Sequence, residues 1–392
     1  MAPRITAGGV RLNHSMATEQ APQGWPDTVP TLIDTERGVT LRAHTEADLP
    51  GMVEQSRDPE TVRWTTVPTP YADSDARDFV FGVIATRVDA GGTMSWAVEA
   101  EIEGVRRYCG TIDVRFEVPG RVALGLAAHP SARGRGIMAA GCRLVLDWAF
   151  DEAGARTATW LAFVGNWPSR WLAESLGFRV MGTLPGYCGQ RGELVDSWIA
   201  ILRAGDPRGG VPRMPTLDLA ERGLRLRPFS EADLPRIVEA NSDPQTQHWM
   251  PQLPYPYEMP AAEHFLDWCR EGESRQDQWT WCVADTGTDR CLGAVTLFRL
   301  RDDAAHGELG YWTHPDARGR RLTAAAVDAV ATYALGPDGP HQALTIRCAR
   351  GNAGSQRVAL AAGFAETGWL TGAERFRDGS RDDLLVFSRY AG

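Results

Sequence analysis

One stretch of the chain, from His129 to Gly141, has the residue types that bind an anion. It follows an apolar, strand-like segment and precedes a segment with helical periodicity, which predicts a strand, a glycine-rich turn and a helix. Glycine allows close approach of the backbone, the first amides of a helix have no partner within it, and arginine adds positive charge. Together these properties suit a pyrophosphate. A single turn of this kind is often a solvated loop, but residues 308–323 repeat the strand and the turn.

The repetition extends over the whole chain. The sequence GVTLRAHTEADLP of residues 38–50 returns as GLRLRPFSEADLP at residues 223–235. A repeat of this length indicates the duplication of a complete domain. We therefore expect a loosely ordered segment over residues 1–30, one domain over 31–204, a Pro- and Gly-rich linker over 205–216 and a second domain over 217–392.

The composition limits the class of protein. A chain of 392 residues, 43% of them hydrophobic and 23% charged, fits two soluble globular domains. No apolar run approaches about 18 residues, and the N-terminal segment lacks the pattern of a secretory signal. Seven scattered cysteines without a Cys-x-x-Cys pair indicate reduced thiols, so we expect a cytoplasmic protein with no metal site. The formal net charge of -9 argues against nucleic acid as a partner.

Each copy has the same order of predicted elements. A strand leads to a helix capped by Thr45 in the first copy and by Ser230 in the second, with an aspartate three residues on. Further strands, the turn with its helix, another strand, a short helix and a final pair of strands follow. This order predicts the α+β class, with a mixed, mostly antiparallel sheet and helices on both faces.

Two further motifs follow the turn in each copy. Asn-x-x-Ser begins at Asn166 and at Asn352, and a Gly-Phe pair comes after it. With the Arg-x-x-Gly turn, this ordered set resembles the GNAT superfamily of acyl-CoA N-acyltransferases, and more narrowly the Rim type, which acetylates the N-terminal amine of ribosomal proteins. The resemblance covers roughly residues 31–203 and 217–391. It implies two tandem GNAT domains that use acetyl-CoA.

The resemblance assigns roles to residues in both copies. It implies that the pantetheine arm lies along the strand before the turn, where a free backbone amide can polarise the thioester carbonyl. Copy two departs from the family pattern at Arg321, where glycine is expected; arginine can pair with phosphate, but the close approach of the backbone is in doubt. The implied cofactor-binding residues are Leu126, Ala128, Arg133, Gly134, Arg135, Gly136, Ile137, Met138, Asn166 and Ser169 in copy one and Trp312, His314, Arg318, Gly319, Arg320, Arg321, Leu322, Thr323 and Asn352 in copy two.

The two copies differ in their acids. An amine must be neutral to attack a thioester, so a positioned base is expected. Copy two offers Glu308 on the strand beside the cofactor and Glu374 in the region where Rim-type enzymes place a catalytic glutamate. It also has Ser355 where the family places a hydroxyl near the thiolate. Copy one keeps Ser169, but Ala123 replaces the first glutamate and a Gly-Tyr-Cys segment the second. We therefore predict that copy two carries the reaction and that copy one binds the cofactor without reacting.

Each assignment has a structural alternative. Glu308 can be a solvated strand residue or an ion-pair partner, and Glu374 can form a surface pair with a neighbouring arginine. The asparagines and serines of the Asn-x-x-Ser motifs can simply cap their helices. His129 and His314 precede proline and are expected to make turn contacts. Three aromatic residues after the first helix of copy two are candidates for an acceptor groove: Trp249, Tyr255 and Tyr257.

Three functions stay open on the sequence. We expect an acetyl-CoA-dependent N-acetyltransferase whose acceptor, the α-amine of a peptide or protein, attacks the thioester directly; a small amine such as an antibiotic or amino acid is the alternative acceptor. A non-catalytic CoA-binding or scaffold protein is the second function. The third is an acyltransferase that takes its acyl group from an acyl carrier protein or an aminoacyl-tRNA. We expect no membrane partner, and either a monomer with an internal pseudo-dimer or a homodimer.

Overall fold

The computed structural model describes residues 25–392 apart from 27, 90, 301–304 and 338. It divides the chain into two compact units, Met1–Gly210 and Val211–Gly392, and the boundary falls within the predicted linker. Most of the segment predicted to be loosely ordered, residues 1–24 and 27, lies outside the described residues. No helix in the described part of the chain is long and apolar enough to cross a membrane.

The first unit contains an eight-stranded sheet. Its strands are β1 (Leu32–Asp34), β2 (Val39–Arg42), β3 (Thr93–Ile102), β4 (Val105–Val118), β5 (Arg121–Ala128), β6 (Thr157–Phe163), β7 (Arg179–Gln190) and β8 (Glu193–Arg203). The order across the sheet is β1-β2-β3-β4-β5-β6-β8-β7, and the β5–β6 pair alone is parallel. The helices are α1 (Leu49–Arg57), α2 (Pro59–Trp64), α3 (Asp73–Asp78), a π-helical stretch (Phe79–Ile84), α4 (Ala85–Asp89), α5 (Ile137–Asp151) and α6 (Trp167–Ser175).

The second unit repeats this topology. Its strands are β9 (Leu217–Leu219), β10 (Leu224–Pro228), β11 (Gln278–Asp285), β12 (Cys291–Phe298), β13 (His306–Thr313), β14 (Ala343–Ala349), β15 (Ala365–Arg375) and β16 (Arg381–Tyr390). The order is β15-β16-β14-β13-β12-β11-β10-β9, with β13–β14 as the parallel pair. The helices are α7 (Leu234–Ser242), α8 (Pro244–Trp249), α9 (Met259–Arg275), α10 (Leu322–Ala334) and α11 (Ala353–Ala361). The predicted α+β class and the duplication of the fold are confirmed.

Side-chain alternation places helices on both faces of the sheet. On β13, Leu309 packs into the apolar core that contains Val327 of α10, while Trp312 packs into the core that contains Leu266 of α9. Residues three apart on a strand point to opposite faces, so the two helices cover opposite sides of the same strand.

The N-terminal edge of each unit is fixed by a buried aspartate. The Thr45 amide donates to Asp48 at 2.7 Å, as the capping pattern predicts. Arg42 of β2 donates to the same carboxylate at 2.8 Å, which ties the first helical turn to the sheet. The Ser230 amide and Arg227 hold Asp233 in the same way.

Two features of the fold differ from the expectation. The order of elements predicted from the sequence has no helix over residues 73–89 or at α9, where the structure has helices. Trp25, in the segment expected to be loose, packs its ring against Trp148 with 5.3 Å between centroids. Trp96 Nε1 also donates to the Pro30 carbonyl at 2.7 Å, so the end of this segment is part of the first unit.

The parallel strand pair of each unit separates after a few residues. β5 pairs with β6 only over residues 121–124, and β13 pairs with β14 only over residues 306–308. Beyond these points, residues 125–128 and 309–313 have a paired strand on one side alone among the described residues. Their remaining backbone groups are left for water or a ligand, because buried amides and carbonyls need partners.

Phe387→Ala tests the core of the second unit. Phe387 of β16 is 1% exposed and packs in the core beneath α10. Removing the ring leaves a cavity that its neighbours fill only in part, so we expect the free energy of unfolding to fall by about 3–5 kcal/mol. Urea unfolding followed by fluorescence measures this change. Tyr390→Ala, at a 63% exposed position of the same strand, is the matched control. A loss below about 1 kcal/mol for Phe387→Ala would contradict the core described above.

Candidate functional site

The two glycine–arginine turns have the same backbone shape. Gly134 and Gly136 have φ angles of 71° and 74°, and Gly319 and Arg321 have angles of 73° and 58°. A Cβ on Gly136 would meet no atom within 4 Å, so this position has room for a side chain. Arg321 therefore keeps the left-handed conformation that glycine has in the first turn, at a cost of about 1–2 kcal/mol. The substitution affects stability and leaves the form of the turn unchanged.

The second turn presents backbone amides at the start of a helix. The helix α10 begins at Leu322. Within the described residues, the amides of residues 319–324 have no hydrogen-bond partner. Such amides at a helix N-terminus attract an anion. The side chains of Arg320 and Arg321 are exposed and have no hydrogen bond or ion pair to the described residues, so they add free positive charge.

The first arginine of each turn is already engaged by the protein. Arg318 donates to Asp243 at 2.6 Å and to Thr246 Oγ1 at 2.8 Å. Burial opposes ionisation of Asp243, but the hydrogen bonds from Arg318 and from the Thr246 amide outweigh it and hold the pKa of this carboxyl below its usual range. Arg133 makes the matching contacts with Asp58 at 2.5 Å and with a threonine of α2. Both arginines anchor the turn to the helix that follows α1 or α7.

The gap beside β13 exposes alternate backbone amides. The His314 amide donates to the Leu292 carbonyl at 2.9 Å. Because hydrogen-bonded pairs alternate along an antiparallel ladder, Trp312 also faces β12, and the amides of Tyr311 and Thr313 face the gap. The sequence predicts Trp312 and His314 for this role, but their amides face β12, and the open amides belong to the residues immediately before them.

In β5 the open amides belong to two of the residues predicted for the site. The His129 amide donates to the Cys109 carbonyl at 3.0 Å. The amides of Leu126 and Ala128 therefore face the gap beside β5.

A cavity of about 1370 Å³ in the second unit joins the turn, the open strand and the predicted catalytic region. Of the residues predicted for the site, nine line it: Trp312, Arg318, Gly319, Arg321, Leu322, Thr323, Asn352, Ser355 and Glu374. Glu308, His314 and Arg320 are outside its lining. The His314 ring is buried and contacts Asp316 at 2.8 Å and Glu239 at 3.2 Å, which is the predicted turn role.

Ser355 is held by two neighbours on the open-strand side of the cavity. Its amide donates to Asn352 Oδ1 at 3.0 Å, so the asparagine caps α11. Its hydroxyl lies 2.9 Å from the Tyr311 hydroxyl, and burial raises the pKa of this tyrosine above its usual range. Tyr311 is not among the residues predicted from the sequence, although it is a tyrosine on the strand that enters the turn, where copy one has Leu126.

Glu374 is the one carboxylate among the described residues that line the cavity. It is half-buried on β15, opposite Asp382 of β16. Burial raises the pKa of the Glu374 carboxyl and Asp382 adds to this rise, while the Arg375 amide and the Arg347 charge oppose it. A carboxylate with a raised pKa beside a cavity has the properties of a proton acceptor.

Glu308 is engaged in an ion pair. Arg347 of β14 donates to Glu308 Oε1 at 2.8 Å and to Oε2 at 2.7 Å, and Arg299 approaches at 3.9 Å. Of the roles considered for Glu308, the structure therefore shows the ion pair. The Glu308 carboxylate holds Arg347, which lines the cavity.

The β15–β16 turn packs against α8 and the loop that follows this helix. Phe376 stacks on His248 with centroids 4.9 Å apart, and Arg377 donates to the Leu253 carbonyl at 2.7 Å. These contacts hold the turn against α8. Of the three predicted groove residues, Trp249 and Tyr257 line the cavity, whereas Tyr255 is 75% exposed outside it.

A family model described as "Acetyltransferase (GNAT) domain" matches residues 39–179 and again residues 223–365, together more than half of the chain. The chain belongs to the GNAT acetyltransferase family. It is an N-acetyltransferase with two GNAT domains, and members of this family use acetyl-CoA. The resemblance stated from the motifs is confirmed.

Solved structures similar to this chain each match about one GNAT domain. The ribosomal-protein-S5-alanine acetyltransferase of Vibrio fischeri is 15% identical over 45% of this chain and 97% of its own, with a TM-score of 0.41. RimJ of Mycobacterium smegmatis, in complex with CoA-disulfide, is 21% identical over 47% and 90%, with a TM-score of 0.40. The Salmonella typhimurium enzyme that modifies the N-terminal serine of ribosomal protein L7/L12 is 16% identical over 44% and 99%, with a TM-score of 0.39. No curated protein matches the sequence.

The first GNAT domain has a different set of residues at the corresponding centre. Trp160 of β6 stands where the second domain has Ile346, and its Nε1 donates to Ser169 Oγ at 3.1 Å. Leu126 takes the place of the tyrosine that contacts Ser355, and Cys188 takes the place of Glu374. The Ser169 hydroxyl therefore accepts a hydrogen bond from the Trp160 indole. The first domain has no counterpart of Glu374 at this position.

The first GNAT domain nevertheless carries one acid at its open strand. A Cβ on Gly125 of β5 would lie 2.8 Å from both carboxylate oxygens of Asp113, so this carboxylate covers the strand where the gap begins. Burial raises the pKa of the Asp113 carboxyl, although Arg115 and Arg87 oppose the rise. The sequence analysis missed this residue, because nothing in the pattern of β4 marks it.

One buried group of possible metal ligands lies elsewhere in the second GNAT domain. Asp233, Cys282 and Cys291 lie together under α7. Arg227 donates to both oxygens of Asp233, at 2.8 and 3.0 Å, so this carboxylate is already neutralised by the protein.

Arg318→Ala tests the anchoring of the second turn. The change leaves Asp243 half-buried without its cation, so we expect the free energy of unfolding to fall by about 1–3 kcal/mol. Thermal unfolding of the ligand-free protein measures the loss. Arg320→Ala, at the exposed arginine of the same turn, is the matched control and should leave stability unchanged. Equal stability of the two variants would show that Arg318 is not an anchor.

Proposed function

We propose that the second GNAT domain transfers an acetyl group from acetyl-CoA to the α-amine of a peptide, by direct attack of the amine on the thioester. The observation that carries this proposal is the single cavity that joins the anion-binding turn, the open edge of β13 and Glu374. A donor and an acceptor can meet there without a covalent link to the protein.

The residues present fit the donor. The amides of residues 319–324, with Arg320 and Arg321, form an anion site for the pyrophosphate. The open amides of Tyr311 and Thr313 can donate hydrogen bonds to the pantetheine arm, which would then lie along β13 in the way that a neighbouring strand does. When bound, acetyl-CoA supplies a thioester whose carbonyl carbon accepts the amine. An amide of the open strand can donate to the carbonyl oxygen as negative charge develops on it.

Glu374 accepts the proton that the ammonium must lose. An α-amine has a pKa near 8 and a lysine side chain a pKa near 10.4, so removing the proton from lysine costs about 3 kcal/mol more. A carboxylate is a much weaker base than either amine, so the acceptor that loses its proton more easily, the α-amine, is favoured.

The Ser355–Tyr311 pair serves the leaving sulfur. As the carbon–nitrogen bond forms, the carbon–sulfur bond breaks and the nitrogen loses its second proton. The Ser355 hydroxyl, bonded to Tyr311, is placed to donate its proton to the sulfur and to take up the second proton that the nitrogen loses. The products are the amide, CoA as the free thiol, and the first proton of the ammonium, which Glu374 releases to water.

The first GNAT domain is assigned a binding role. Its turn has the same φ angles and its gap exposes the Leu126 and Ala128 amides, but Cys188 replaces the proposed base. We therefore expect calorimetric titration with CoA to give two sites per chain. The double variant Arg320→Ala, Arg321→Ala should weaken only the site of the second domain. A single site in the unaltered chain would contradict the assignment.

Glu374→Gln tests the base. We expect kcat/KM for a peptide to fall by about 10²–10⁴-fold, because the amide cannot accept a proton. The pKa of Glu374 is raised from 4.5, so activity of the unaltered enzyme falls as the pH falls through that raised value. The residual activity of the variant should not show this fall at low pH. It should depend on pH only through the deprotonation of the amine near pH 8.

Release of free thiol from acetyl-CoA, followed between pH 5 and pH 9, measures both effects. Glu366→Gln, an exposed glutamate of the same strand outside the cavity, is the control and should act as the unaltered protein. Full activity of Glu374→Gln would overturn the assignment of the base. No thiol release with any amine would favour a non-catalytic CoA-binding protein instead.

A further inference from the structure

The acceptor side of the cavity has an apolar surface directly over the open strand. A Cβ on Gly310 of β13 would lie 3.1 Å from Phe298 Cε2, so the Phe298 ring covers the backbone of this glycine. Gly310 is the neighbour of Tyr311, whose amide faces the gap. The ring is therefore one residue from the strand edge where the proposed function places the thioester.

Further aromatic rings extend this surface away from the strand. The Phe298 and Trp268 rings have centroids 6.2 Å apart, and Trp268 stacks on Phe265 at 5.8 Å with an angle of 26° between the planes. All three residues line the cavity, and Trp268 is 38% exposed, so its indole has a free face. We call Phe265, Trp268 and Phe298 the aromatic wall.

The carboxylate and the arginines that line the cavity belong to other elements than the aromatic wall. Glu374 is on β15, on the other side of the open strand from β12, and the arginines belong to the turn, β14 and α11: Arg318, Arg321, Arg347 and Arg357. An acceptor with one positive end and one apolar side chain matches this division, because the ammonium faces a carboxylate and the side chain leaves water.

We propose that the second domain selects acceptor peptides whose first residue has a large apolar side chain, such as Phe or Leu, which packs on the aromatic wall. This inference rests on the proposed function and adds the specificity of the acceptor. The first domain shows that the wall is not a fixed part of the fold. Over the corresponding glycine, Gly125, it has the Asp113 carboxylate in place of the phenyl ring.

The test uses the full chain, acetyl-CoA and a set of peptides that are identical except for the first residue, which is Phe, Leu, Ala, Ser or Asp. We expect kcat/KM for the Phe and Leu peptides to exceed that for the Ser and Asp peptides by about 10-fold or more. Trp268→Ala should raise KM for the Phe peptide by about 10-fold and leave the Ser peptide within about 2-fold, because only the large side chain reaches the wall. Phe298→Ala should act in the same direction.

The controls separate a changed wall from a changed fold. Trp369→Ala removes an exposed aromatic ring of β15 that is outside the cavity and should change neither peptide. A variant that loses the Phe and Ser peptides equally has a general defect and contradicts the role of the wall. Equal rates for all first residues, or a preference for Ser or Asp, would overturn the specificity while leaving the proposed function intact. No acetylation of any peptide would overturn the proposed function itself.

Discussion

The separation of one parallel strand pair in each domain is the constraint on which the site depends. Backbone amides and carbonyls need partners, and a sheet normally supplies them on both sides of an inner strand. Here β5 and β13 lose one neighbour after three or four residues while the sheet continues on their other side. The glycine–arginine turn follows the same strand, and α11 begins beside it with Ser355 bonded to Tyr311 of β13. The residues of the proposed site are therefore grouped around a gap between two strands.

In the two turns, the backbone places the amides at the start of the helix, and side chains fix the turn to the rest of the domain. The amides at the start of the helix are placed by φ angles that arginine at position 321 reproduces as well as glycine does at 136. Arg133 and Arg318 bind Asp58 and Asp243 and so fix the turn to the rest of the domain. Binding by main-chain groups tolerates a change of side chain as long as the conformation is kept.

Sequence reasoning recovered what local patterns encode. The repeat predicted the two domains, the strand–turn–helix pattern predicted the conformation around the glycine–arginine turn, and the Asn-x-x-Ser motif predicted the asparagine cap of α11. It did not find contacts between residues distant in sequence. The pair of Glu308 with Arg347 joins two strands, and Asp113 is distinguished only by its position over Gly125 of the next strand. The one-residue offset at Trp312 and His314 has a related cause, because the direction of an amide depends on the ladder with β12.

The residue that covers Gly125 or Gly310 belongs to β4 or β12, and neither strand contributes to the turn or to the helix that follows it. In the proposed function, selection of the acceptor and capture of the donor therefore depend on separate parts of the chain. The two domains differ at this position, with a carboxylate in one and a phenyl ring in the other, while both turns keep a left-handed residue before the helix. A duplicated domain of this kind can evolve a new preference in small steps, while its twin preserves the old one.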